Sequence, residues 1–172
     1  MNKYVLMAFG LLIAFVFSAS TARAEFKEGK WAMTMVTKMD HVPPEMAAAM
    51  KQMESMPTEQ RAMIEKMQAK MGISMSADGS VVTVTSTQCL TKQNPVPNHL
   101  KEHSACRETH EMKGDTVTFH MTCDQNDSQM ESTGSATYSG DNMRGAVKSH
   151  MVRPNGIMDS TVNITGKYSG PC

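Results

Sequence analysis

Leucine is nearly missing from this chain. Past residue 24 it holds Leu90 and Leu100 and no other. Aromatic residues make up only 5% of the sequence, too few for a nucleic-acid stacking platform. No excess of positive charge exists either: 17 Lys and Arg face 17 Asp and Glu. Phosphate neutralisation needs clustered bases, so nucleic acid and anionic membrane surfaces are both poor partners. There is no Gly-x-Ser-x-Gly, no Gly-rich phosphate loop and no Cys-x2-Cys pair, which leaves hydrolase, nucleotide and zinc chemistry without a motif. Glu108, Glu111 and Asp115 are scattered along one strand pair and its turn. An enzyme is not expected, and neither is a resident cofactor.

What is present begins with a leader. Lys3 is followed by an apolar run from Tyr4 to Phe17, then by Ala22-Arg23-Ala24. The run is shorter than the roughly 20 residues of a membrane helix and ends at a small-x-small cleavage pattern. Cleavage after Ala24 is expected, making residues 1–24 a signal peptide and 25–172 one β-rich domain in the periplasm. Loss of Lys3 and Arg23 leaves two more acids than bases, and no membrane span remains. All four cysteines lie past the cleavage site, and an even number in an oxidising compartment reads as two disulfides.

One pairing has a local argument. Arg107 to Lys113, Gly114-Asp115 and Thr116 to Cys123 read as a two-residue hairpin. If Lys113 pairs with Thr116, the same register sets Cys106 opposite Cys123. That register gathers Cys106, Met112, Val117, Phe119, Met121 and Cys123 on one face. Cys89 with Cys172 follows by elimination.

Methionine takes the place of leucine. Of 19 methionines, all but Met1 and Met7 lie past residue 24. Met46, Met50 and Met53, then Met63, Met67 and Met71, recur at helical spacing between Glu45 and Met71. Pro57 interrupts this insert, Thr58 is placed to cap its second half, and Gly72 to end it. Such rows serve as an apolar packing face, as an adaptable surface, or as soft ligands for Cu(I) or Ag(I). His99 and His103 share an i, i+4 spacing in a proline-containing loop, which favours solvated histidines over a metal pair.

The remainder alternates as strands. Trp31, Met33, Met35, Thr37 and Met39 share one face, and Met158, Val162, Ile164 and Tyr168 another. The fold expected is mainly β: an antiparallel meander of about seven strands in sequential order, forming a barrel-like or strongly curved sheet with a helical insert at 45–71. An open sandwich is the competing architecture.

Several local patterns occur in a familiar order: Gly29-Lys30-Trp31, Pro57-Thr58-Glu59-Gln60-Arg61, Gln88-Cys89-Leu90-Thr91 and the Cys106 to Cys123 hairpin. Ser132 to Tyr138 with Gly140-Asp141 and Arg144-Gly145, then Gly166-Lys167-Tyr168-Ser169-Gly170-Pro171-Cys172, complete the set. Together they resemble a bacterial exported family, the domain of unknown function numbered 3617. The resemblance implies an exported β-rich protein and carries over no catalytic or binding residue.

The function expected is therefore non-enzymatic: binding of an apolar small molecule or a protein segment of the envelope, or envelope maintenance. A cup lined by Trp31, Met33, Val117, Phe119, Met121 and Tyr168, with the Met-rich helices over its mouth, would serve it. Soft-metal handling by Met46, Met50, Met53, Met63, Met67 and Met71 is the alternative.

Overall fold

A computed structural model describes residues 26–97, 106–125 and 127–172. The leader expected at 1–24 and the His99–His103 pair lie outside the described residues. Eight antiparallel strands form one sheet: β1 (Gly29–Met39), β2 (Ile73–Met75), β3 (Val81–Leu90), β4 (Cys106–Lys113), β5 (Thr116–Gln125), β6 (Ser128–Ser139), β7 (Asn142–Arg153) and β8 (Gly156–Gly170). Two helices, α1 (Pro44–Glu54) and α2 (Thr58–Lys70), sit between β1 and β2.

The sheet order is β2-β3-β1-β8-β7-β6-β5-β4. Apart from β2 this is a sequential meander bent into a ring, with β1 joined to β8 and the ring left open between β3 and β4. To the seven strands legible in the sequence the structure adds one short strand, β2. Ile73 to Met75 is too short to show alternation, and only its pairing with Val82 to Val84 makes it a strand. It occupies the outer edge of β3, on the side where the ring stays open.

The hairpin register is the expected one. Lys113 pairs with Thr116, and Cys106 with Cys123. Disulfides join Cys106 to Cys123 and Cys89 to Cys172. Burial alternates along β1 with Trp31, Met33 and Met35 inward, as the sequence pattern requires.

The insert divides at Pro57 into two helices, again as expected. Thr58 does not cap α2: Pro57 holds the N-cap position, and no side chain bonds the free amides there. Proline fixes φ in a range compatible with helix entry, so the turn itself starts α2. Gly72 ends it with φ of 72°, the left-handed region that glycine enters without a Cβ penalty. Neither helix has a fully buried residue. Glu45 Oε1 accepts from Arg153 Nη1 at 3.0 Å, and Met50 packs on Gly79, so α1 is fastened at the Met39 end of the sheet. The turn beneath it is held by Asp78, which accepts hydrogen bonds from the Ser76 hydroxyl and the Ser80 amide and hydroxyl. Those bonds, the Ser76 hydroxyl first, draw its carboxyl down to about 2.

One end of the ring is filled by aromatic side chains. Trp31 and Tyr138 are fully buried, 5.3 Å apart and edge to face, and Phe26 and Tyr168 pack edge to face on them. Both polar tips are satisfied, Trp31 Nε1 donating to Lys27 O at 3.0 Å and Tyr138 Oη to Pro95 O. Burial pushes the Tyr138 hydroxyl well above its ordinary range, which keeps it a donor. Met33, Leu90, Val117 and Met143 close around this plug.

Two measurements test this account. Tyr138→Phe strands a buried carbonyl and should cost about 1–3 kcal/mol in urea unfolding. Replacing Cys106 and Cys123 by serine, which frees a loop of separation 17, should cost about 3 kcal/mol. The same change at Cys89 and Cys172, of separation 83, should cost more, about 4–5 kcal/mol.

Candidate binding cavity

Beyond the plug the interior is not filled. A cavity of about 330 Å³ lies inside the ring, and every strand but β2 contributes to its wall. Its apolar lining includes Met35, Phe119, Met121, Val147, Val162 and Ile164, the inward positions of alternating strands. Val96 and Pro97 close it from the loop after β3, the loop that Tyr138 grips at Pro95.

The lining is layered in rungs that run along the hydrogen-bond direction and follow one another along the strands. Met112, Val117, Ala136, Gly145, Ile164 and Met35 form one continuous rung of cross-strand partners. The next runs through His110, Phe119, Gly134, Val147, Val162 and Thr37. The one after it passes through Glu108, Met121, Ser132, Ser149, Ser160 and Met39, and carries four polar side chains and two methionines. Ser132 is 1% exposed, and its Oγ lies 2.8 Å from Ser149 Oγ, one hydroxyl donating to the other. The Glu108 side chain is 14% exposed, with Oε1 3.5 Å from His110 Nδ1. Among the described lining residues it is the one charged group.

Phe119 can stand in the wall because Gly134 faces it. A Cβ at Gly134 would sit 2.6 Å from Phe119 Cζ and 2.8 Å from the Ala146 carbonyl oxygen, inside contact distance for both. The tip of the ring, Cζ, therefore rests against the glycine.

Over residues 26–172 the chain matches a family model described as "Protein of unknown function (DUF3617)". The chain belongs to that family. No curated protein and no solved structure matches it. Among the described residues of this DUF3617 chain, no helix is long and apolar enough to cross a membrane.

The DUF3617 chain distributes the anticipated site residues in two places. Phe119 and Met121 line the cavity. Trp31, Met33 and Tyr168 belong to the plug and its margin. Of the methionine rows, Met46, Met50 and Met53 form the half-buried face of α1, whereas Met63, Met67 and Met71 on α2 are 73%, 56% and 56% exposed. The described cavity lining comes from strands and the loop after β3, with no helix residue in it. On the outer face His120 pairs with Glu131 at 2.9 Å and His150 with Asp159 at 2.7 Å. Among the described residues no three His, Cys, Asp or Glu side chains converge on a metal position.

Glu108, Ser132 and Ser149 were not anticipated as site residues. For Glu108 the signal existed. The hairpin register that set Cys106 inward also turned Glu108 inward, opposite Met121. Ser132 and Ser149 carried no such mark, because small polar residues occur on both faces of these strands.

Gly134→Ala tests the wall directly. The added methyl must push Phe119 into the cavity or strain the strand, at about 1–3 kcal/mol of stability. Urea unfolding should show that loss, and binding of an apolar probe such as decanol should weaken with it.

Proposed function

We propose that this protein is an exported, periplasmic, non-enzymatic binding protein that takes a small apolar molecule into the open half of its ring. The observation that carries this reading is the cavity itself: an apolar space near the lower end of the 300–1,000 Å³ typical of small-molecule sites, bounded by seven strands and by Val96 and Pro97 of the loop after β3. The two disulfides fit an oxidising compartment, and the leader pattern before Glu25 fits export. Flexible methionine at Met35 and Met121 suits a wall that adapts to more than one shape. The helix α1, fastened at the Met39 end, flanks the end of the ring that the plug leaves open.

Soft-metal handling is a second reading, favoured by the exposure of Met63, Met67 and Met71 along one face of α2. The two readings separate in one spectrum. With methionine methyl groups labelled, decanol should shift Met35 and Met121 and leave Met63, Met67 and Met71 in place. Affinity should rise about fourfold per added methylene until the cavity is full, reflecting about 0.8 kcal/mol each. Cu(I) shifting the α2 methyls, with decanol silent, would establish the metal reading instead.

A further inference from the structure

Resting on the cavity reading above, we propose that the ligand is an uncharged molecule with an apolar body and a carbonyl oxygen, and that this oxygen accepts a hydrogen bond from the Ser149 hydroxyl.

The polar contact follows from how two serines share their protons. Ser132 on β6 and Ser149 on β7 are cross-strand partners in the cavity wall, with Oγ atoms 2.8 Å apart. Two hydroxyls carry two protons, and the one bond between them uses one. Among the described residues neither hydroxyl has another hydrogen-bond partner. Burial decides which proton is used. Ser132 is 1% exposed, whereas Ser149 is half-buried. A fully buried donor left unpaired is costly. Ser132 therefore donates to Ser149, and the Ser149 proton is the one left over at the cavity wall.

A ligand meets that donor at the edge of an apolar space. Phe119, Val147 and Val162 stand on the adjoining rung, with Met35 and Ile164 on the next. A molecule whose body lies against these rungs brings one end to Ser149. A hydrocarbon end would bury the hydroxyl proton without a partner, and an ammonium end would set donors against a donor. A carboxylate accepts, but no Lys, Arg or His stands among the described lining residues to balance its charge. One neutral donor does not offset the desolvation of an ion. An alcohol accepts and must also place a proton of its own. A carbonyl oxygen accepts without charge and has no proton to place, so it is the complement of this wall. Thr37 on β1 brings a second hydroxyl into the wall one rung away, and the experiment separates the two.

The probes are 2-decanone and 2-methyl-1-decene, which has the same skeleton with a methylene group in place of the oxygen. Each is titrated into the oxidised full-length mature protein with its methionine methyls labelled, and the carbonyl stretch of the bound ketone is read by infrared spectroscopy. Both probes should shift Met35 and Met121. Ser149→Ala should weaken the ketone about fivefold, the net worth of a neutral hydrogen bond, and leave the alkene unchanged. Ser132→Ala and Thr37→Val should leave the ketone's affinity within about twofold. The stretch of the bound ketone should lie below its value in alkane solvent and return to that value in Ser149→Ala. Equal effects of Ser149→Ala on both probes, a loss that falls on Thr37→Val instead, or an alkane-like stretch in the unaltered protein overturns the carbonyl assignment and leaves the cavity reading intact. Silence of Met35 and Met121 toward both probes overturns the cavity reading as well. The stretch in the unaltered protein decides the question if Ser149→Ala does not fold.

Discussion

The edge-to-face packing of Trp31 on Tyr138 governs what the rest of the ring can do. These two fully buried rings, with Phe26 and Tyr168 against them, concentrate nearly all the aromatic volume of the described chain at one end. Large rings fill a small ring of strands efficiently, and their polar tips must be bonded once buried. Tyr138 meets that requirement through Pro95, and in doing so ties down the loop that walls the cavity. Stability and cavity shape are thus set by the same contact.

With the aromatic volume spent at one end, the other end is lined by what remains: Met, Val, Ile, Ser and a single Phe. Seven strands surround more space than these side chains fill. Gly134 adds to that space by letting Phe119 lie back against its own strand neighbour. The ring is also incomplete, because β3 carries the short β2 on its edge and does not pair with β4. The disulfides fall on either side of this break. Cys89 lies on β3 and is fastened to the C-terminus, and Cys106 at the start of β4 is fastened to β5. An unpaired sheet edge is locally weak, and covalent links beside it limit how far the opening can spread.

Methionine serves three different environments in this chain. Met33 and Met143 fill the core as leucine would, while Met35 and Met121 border empty space. Met63, Met67 and Met71 face solvent. One residue type with three unbranched torsions tolerates all three settings. Periodicity alone therefore says where a helix or strand runs and not what its methionines are for.

The sequence by itself determined whatever depends on neighbours close along the chain. Alternation assigned Trp31, Met33 and Met35 to one face, Gly114-Asp115 set the hairpin register, and that register placed Cys106 opposite Cys123. Pro57 and Gly72 marked the helix boundaries. Each follows from a local steric or periodic rule. Only the tertiary structure decided the rest: the pairing of β1 with β8 that bends the meander into a ring, the burial of Trp31 in the plug and not in the cavity wall, and the meeting of Glu108, Ser132 and Ser149 on one rung. Those residues are separated by long stretches of sequence, and their convergence depends on the curvature of the whole sheet. The hairpin register turns position 108 inward, but a serine at 132 or 149 reads the same in sequence whether it meets water or an apolar cavity. The ring around it makes the difference, by withdrawing solvent from one face of every strand at once.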